Sequence, residues 1–290
     1  MLYGILMGVS VASMVTQNGL QHSFGKSKSK SGADINFYNA FMYAVCVLVF
    51  GILAIISAKI SVYTVLMALA FGAITAIQQY YKVVSLGSGP MHVTTLIITA
   101  SMLIPTLSGP ILFPNTEKFE LFKLIFAAIL VIFLYLSAAP SGKCEKKKIE
   151  WKWIFAVGIT FLFQGLVGVM QKIHQSSVHK DELFAFLAIS FSFSLILSVI
   201  RSRGTEAPTY FKKSTYALAV LSGICTFAMN YINLWLSGII PTQIFFPAIN
   251  GSSIILTALV SVFLFKEKIS IKQIIGIIGG MLCLIAIVLV

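Results

Sequence analysis

Apolar residues run through this chain in long stretches, and the polar residues inside them recur at helical intervals. Ten stretches approach the roughly 20 residues that cross a bilayer as a helix: 2–20, 37–57, 62–81, 89–112, 119–138, 153–172, 183–200, 214–234, 241–264 and 271–290. None alternates apolar and polar side chains as a membrane barrel strand must. The connections are short, so the pattern predicts an all-α integral membrane protein of ten transmembrane helices, with nearly every residue in a span or a tight turn.

The polar positions share helix faces. On the third span Thr75, Gln78, Gln79 and Lys82 fall at i, i+3, i+4 and i+7. Thr226, Asn230 and Asn233 follow the same rule on the eighth. His92, Thr99 and Thr106 recur at intervals of seven on the fourth span, and Gln243, Asn250 and Thr257 do so on the ninth. Span six carries Gln164, Gly168 and Gln171; span one carries Ser10, Gln17 and Gln21, with Asn18 beside them. An amide facing lipid would go unsatisfied at several kcal/mol, so these faces are expected to turn inward.

Two of these patterns are copies of each other. Residues 79–108 and 230–259 superpose without a gap at a shift of 151 positions, bringing Tyr80 onto Tyr231, Gly87 onto Gly238, Pro90 onto Pro241 and Thr106 onto Thr257. Polar residues match as well: Gln79 with Asn230, Lys82 with Asn233, His92 with Gln243, Thr99 with Asn250. At a shift of 150, Gly8 meets Gly158 and Gln21 meets Gln171. The expected organisation is a five-helix repeat over 1–140, a basic linker over 141–152 and a second five-helix repeat over 153–290. Five is odd, so the second copy must lie upside down in the bilayer. Inverted repeats of this kind hold their binding site at the repeat interface near mid-depth.

Composition agrees. Hydrophobic residues make up 58% and charged residues 10% of the chain, with a mean hydropathy of +0.94; a soluble domain carries about 25% charged residues. The net charge of +12 sits in short connections: Lys26, Lys28 and Lys30; Lys143, Lys146, Lys147 and Lys148; Arg201, Arg203, Lys212 and Lys213. That distribution is a membrane topology signal suited to anionic lipid headgroups, and it excludes a nucleic-acid partner. By the charge rule these connections are cytoplasmic and both termini lie outside. The first span lacks a basic leader and a small-residue cleavage site, and reads as a retained helix. Cys46, Cys144, Cys225 and Cys283 form no paired motif and read as small apolar fillers. No metal-spaced cluster, nucleophile elbow or phosphate-cradling loop is present, so neither an enzyme nor a metal or other cofactor is expected.

Spans four and nine open through Gly87 to Pro90 and Gly238 to Pro241. The ninth carries Phe246-Pro247-Ala248 and leads into Phe265-Lys266-Glu267-Lys268-Ile269-Ser270, and the last span begins Gln273-x-x-Gly276. On these residues the chain resembles, over its full length, the drug/metabolite transporter superfamily in its ten-helix EamA-type branch. The first-half counterpart of the acidic turn, 114–119, is degenerate. The resemblance implies an alternating-access carrier whose cavity is lined by helices one to four and six to nine, with five and ten packed outside. It also implies cytoplasmic termini, opposite to the charge rule, and the inner membrane of a prokaryote.

The residues expected to contact a solute are Gln17, Asn18, Gln78, Gln79, Tyr80, His92, Gln164, Asn230, Tyr231, Gln243 and Asn250. His92 is the expected proton-coupling group, because His22, His174 and His179 fall at or beyond span ends. Thr106, Thr226, Thr257, Ser190, Ser194 and Ser198 read as interhelical hydrogen bonds of about 0.6 kcal/mol each. Lys82 and Lys172, near span ends, read as snorkelling side chains, and Trp235, Phe245 and Phe246 as packing or interface anchors. All the carboxylates lie in connections or at span ends, which argues against cationic drug efflux through a membrane-embedded glutamate and for a neutral, zwitterionic or anionic metabolite. Pro105, Pro110 and Pro247 are expected to kink or end their helices. Gly276 and Gly280 form a small-residue face for docking the last helix on Ala127 and Ala128 of the fifth, which favours a monomer. The function these features favour is secondary transport of a small polar metabolite, an amino acid or similar solute, by an exporter or exchanger. The alternatives are a flippase for a lipid-linked or amphipathic substrate, with Phe184, Phe186, Phe191 and Phe193 as its greasy opening, a drug efflux carrier, and a non-transporting receptor.

Overall fold

The computed structural model describes residues 2–27, 31–113, 150–202, 213–240, 242–266 and 270–289, with a few helical positions between 122 and 136. The fifth expected span lies largely outside the described residues, as does the linker up to residue 149. Among the described residues the regular structure is entirely helical: α1 (Leu2–Ser27), α2 (Gly32–Ser57), α3 (Val62–Ser88), α4 (Met91–Thr99), α5 (Leu103–Leu112), α6 (Trp151–Gln175), α7 (Leu183–Ser202), α8 (Lys213–Ser237), α9 (Thr242–Phe263) and α10 (Ile271–Leu289). Together α4 and α5 fill the expected fourth span.

Among the described residues, six stretches are long and apolar enough to cross a membrane: Gly32–Ser57, Val62–Ser88, Met91–Leu112, Trp151–Gln175, Lys180–Ser202 and Lys213–Ser237. The chain is inside-out relative to a soluble protein. Ile55, Ile56 and Val62 are 81%, 74% and 76% exposed, whereas Gln17, Asn18, Gln21, Asn39, Gln78 and Gln79 are buried. This is the signature of a multi-pass protein embedded in lipid. Helix α1 matches the other spans in length but spends its second half on Gln17, Asn18, Gln21 and His22, all turned inward.

Local chemistry sets the helix ends. A capping box opens α2: the Ser31 N–H donates to Asp34 Oδ2 at 2.8 Å and the Asp34 N–H to Ser31 Oγ at 3.3 Å. Ser61 caps α3 by accepting the Thr64 N–H at 3.2 Å. Glu182, just before α7, in turn accepts from Ser61 N–H at 2.9 Å and from Ser61 Oγ at 2.7 Å. The start of α3 is thereby pinned to the α6–α7 connection. Pro105 has no N–H and would clash with the carbonyl four residues back. Helix α4 accordingly stops at Thr99, passes through a 3₁₀ turn over Ala100–Met102, and resumes as α5, the break expected at this proline. Pro110 lies inside α5, two residues before its end, and α9 runs unbroken through Pro247.

The main helix contacts join residues before the linker to residues after it. Helix α2 lies against α7 and α8, α1 against α8 and α9, α3 against α6 and α7. The contacts come in pairs. Phe24 stacks on Tyr38 and His174 on Phe186, each at 4.2 Å between ring centroids. Cys46 Sγ donates to the Gly223 carbonyl at 3.5 Å, and Ser194 Oγ to that of Gly72 at 2.8 Å. Gly223 leaves room for the Met42 carbonyl of α2, and Gly72 for the Ser190 carbonyl of α7. In every case the second contact is the first displaced by 148 to 151 positions. Tyr43 and Phe191, themselves 148 positions apart, face each other at 5.9 Å where the two sets meet. Helix α10 sets Gly279 and Gly280 against Phe133 and Leu130, so that Gly280, one of the two glycines of the expected face, meets the residues of the fifth span that are described; Ala127 and Ala128 lie outside the described residues.

Near their C-terminal ends α1 and α3 touch backbone to backbone: a Cβ on Gly25 would fall 2.8 Å from both Gly87 Cα and the Val83 carbonyl. Gly25→Val is expected to force the helices apart and cost about 1–3 kcal/mol, read as a lowered thermal unfolding midpoint in detergent. Gly51→Ala, whose added methyl meets nothing within 4 Å, is expected to leave that midpoint unchanged or raise it. Equal effects of the two would contradict the packing described.

Candidate functional site

Polar side chains from α1, α2, α3 and α8 converge on one point inside the bundle. Lys82 is only 5% exposed and its Nζ donates to Gln17 Oε1 at 2.8 Å. Gln17 Nε2 donates to Thr226 Oγ1 at 2.5 Å, and Asn230 Nδ2 to the Thr226 carbonyl at 2.9 Å. The Nε2 atoms of Gln17, Gln21 and Gln79 all point at Met42 Sδ, at 3.9, 3.9 and 3.8 Å. A thioether is a weak acceptor, so Gln21 and Gln79, which donate to nothing else among the described residues, are poorly served. Gln21 Oε1, Gln79 Oε1, Thr75 Oγ1 and both amide atoms of Asn39, one turn before Met42, have no hydrogen-bond partner. Each such buried group costs about 1–3 kcal/mol.

The convergence follows from spacing. Gln17 and Gln21 are i, i+4 on α1, Gln79 and Lys82 i, i+3 on α3, Asn39 and Met42 i, i+3 on α2, Thr226 and Asn230 i, i+4 on α8. The snorkelling expected of Lys82 is not what the structure holds. Helix α3 continues six residues past it to Ser88, so the ammonium does not reach the helix end and settles on an amide oxygen. Among the described residues it has no carboxylate partner. Lys172, the other such lysine, lies over the Phe113 ring at 5.9 Å.

Other expected site residues go elsewhere. Gln78 Nε2 donates to Gln164 Oε1 at 2.8 Å, joining α3 to α6. Tyr80 packs with Phe24, Ile35, Tyr38 and Val83, its hydroxyl against Gly32. Asn18 is buried beside Gln17 with Oδ1 unpaired. His92 sits in the first turn of α4, not at mid-span, and its Nδ1 lies 3.3 Å from Ser261 Oγ on α9. Asn250 Nδ2 bonds the Phe246 carbonyl of its own helix at 2.8 Å. Gln243 belongs to α9, with its side chain outside the described residues. Sequence reasoning left out Asn39 and Met42 and misjudged Lys82, whereas Thr226 makes the kind of interhelical hydrogen bond expected of it. Asn36, Asn39, Tyr43, Cys46 and Phe50 make a buried stripe at helical spacing on α2, a signal missed because the apolar span was begun after Asn36. Met42 carries no polar signal at all.

Tyr231 lines a separate cleft of about 350 Å³ with Gln175, Leu183, Phe184, Trp235 and Gly238. Its ring stacks on Phe184 at 5.8 Å. The repeat shift carries Gly25 and Gly87 onto Gln175 and Gly238. Two glycines bring the backbones together at the first place. At the second, Gln175 stands between them, with its Oε1 3.0 Å from where a Gly238 Cβ would be. One of the two equivalent places is shut by bare backbone; the other keeps a cleft.

No family model and no curated protein matches the chain. A solved structure described as "Crystal structure of protein" is similar in fold, with a TM-score of 0.65 and 11% identity, over 97% of this chain and 95% of that one. That likeness extends to the whole architecture and carries no function.

Removing the acceptor of Lys82 by Gln17→Leu is expected to lower stability by about 1–3 kcal/mol. Adding Lys82→Met is expected to restore most of the loss, because the orphaned ammonium disappears with it. A double-mutant cycle on thermal unfolding midpoints measures this coupling; additive losses would mean that the two residues do not act as a pair.

Proposed function

We propose that the chain is a ten-helix secondary transporter, built from two inverted five-helix repeats over 1–140 and 153–290, that moves a small polar metabolite by alternating access. It works in the inner membrane of a prokaryote, as a monomer because the small-residue face of its last helix docks within the chain. The observation that carries this reading is the unequal state of two equivalent places, Gly25 with Gly87 closed and Gln175 with Gly238 beside a cleft. A carrier needs such a pair, one closed while the other admits solute. The paired contacts at 148 to 151 positions support the inverted repeat, because they relate α1–α2 to α6–α7, α2–α8 to α7–α3 and α2–α7 to itself. The converging amides of α1, α3 and α8 supply a polar site for solute between the two ends.

No bond is made or broken in this mechanism. Rocking the halves about the Tyr43–Phe191 contact would part Gly25 from Gly87 while α6 and α8 close over the cleft. A second reading, flipping of an amphipathic substrate, draws support from the Phe184, Tyr231 and Trp235 wall of that cleft with Lys180 and Asp181 at its rim.

The test is disulfide locking. A Gly238 Cβ would lie 3.4 Å from Gln175 Cβ, close to the roughly 3.5–4.5 Å of a disulfide. In proteoliposomes loaded with a mixture of radiolabelled amino acids, oxidised Gln175→Cys/Gly238→Cys protein is expected to lose counterflow at least tenfold and to regain it on reduction. Counterflow that survives oxidation would defeat the two-ended mechanism, and headgroup translocation without solute counterflow would favour flipping.

A further inference from the structure

We infer that the Gln17, Gln21, Gln79 and Lys82 cluster is a receptor for one carboxylate, so that the solute is a monocarboxylic acid bearing an adjacent N–H or O–H group. This deepens the transport reading and rests on it for the notion of a transported solute. Three amide N–H groups aim at one point, and the atom at that point is the Met42 sulfur, at 3.8 to 3.9 Å. The Lys82 ammonium reaches the same group of side chains through Gln17 Oε1. Gln21 and Gln79 have no acceptor but that sulfur, Gln17 Nε2 shares itself between it and Thr226 Oγ1, and the Lys82 cation meets only a neutral amide oxygen. A carboxylate offers about four lone-pair positions, and bonds to it are charge-assisted and roughly twice as strong as neutral ones. Methionine is unbranched with three rotatable bonds, so Met42 can leave the point at little cost.

Charge narrows the class. A buried cation facing only a neutral amide is an expensive state, and one negative charge cancels it. A phosphate dianion would leave a second charge uncompensated in the same apolar surroundings. The oxygens of Gln21 and Gln79 lack donors and lie on the amides that face Met42, where an α-amino or α-hydroxyl group next to the carboxylate would fall. The receptor exists once. Under the repeat, Lys82 corresponds to Asn233, which accepts from Ser10 Oγ at 2.5 Å, and Gln17 corresponds to Val167. Met42 corresponds to Ser190, which bonds the Phe186 carbonyl of its own helix.

The test measures the thermal unfolding midpoint of the purified full chain in detergent, with sodium acetate against acetamide plus sodium chloride at equal ionic strength. Acetate is expected to raise the wild-type midpoint by roughly 3 °C near saturation, and acetamide with chloride to leave it unmoved. Lys82→Met is expected to lose the response. Gln79→Glu, which places a carboxylate inside the receptor, is expected to unfold at a higher temperature without acetate and to gain nothing from it. Equal wild-type responses to acetate and acetamide, or an acetate response kept by Gln79→Glu, would overturn the inference; Gln79→Glu carries the test alone if Lys82→Met does not fold. The two readings fail separately. Acetate binding without solute counterflow removes transport and leaves the receptor, whereas undiminished counterflow in Lys82→Met removes the receptor and leaves transport.

Discussion

Hydrocarbon solvates no hydrogen-bonding group, and the arrangement of this protein follows from that one constraint. Backbone groups are satisfied within helices, so all the described regular structure is helical. Amide and hydroxyl side chains have no such internal remedy and must find partners on neighbouring helices. That requirement turns Gln17, Gln78, Gln79, Thr226 and Ser194 inward and ties α1 to α8, α3 to α6 and α3 to α7. The outer faces are left to Ile55, Ile56, Val62 and their like. Around Met42 the inward polar groups outnumber their partners, leaving Gln21 Oε1, Gln79 Oε1 and both amide atoms of Asn39 unmatched.

Close approach supplies the remaining cohesion. Gly72 and Gly223 let α3 meet α7 and α8 meet α2 so closely that a backbone carbonyl occupies the space of a side chain, and Ser194 and Cys46 donate across the same crossings. Aromatic stacks at Phe24–Tyr38 and His174–Phe186 stand at corresponding places. One chemical exchange, glycine at 25 for glutamine at 175, is enough to separate two otherwise corresponding ends.

Much of this is legible in the sequence, for a physical reason. Apolar length is a one-dimensional property, so spans one to four and six to ten emerge as helices with ends displaced by at most seven residues. The ends are less legible, because capping is local: Ser31 and Asp34 carry α2 back to Gly32, well before its apolar stretch begins. Helical spacing identified the faces of Gln17 and Gln79, since a costly residue must point inward whatever it meets there. It did not identify partners. Gln78 and Gln79 are neighbours in sequence, yet one bonds Gln164 and the other turns to Met42, a choice set by which helix stands opposite. Repeat matching misled for Tyr80 and Tyr231, which correspond in sequence while one is packed among aromatics and the other lines a cleft. Lys82 was misjudged because distance along the chain from the end of an apolar stretch is not distance from water.

The interruption between α4 and α5 gives one membrane crossing two allegiances. Helix α4 leans on α9, where His92 meets Ser261, while α5 leans on α6, where Ile104 lies over Gly165. A straight rod would have to follow one neighbour and drag against the other. Split at Ala100–Met102, the crossing can set its two arms against two different helices while the chain between them stays whole.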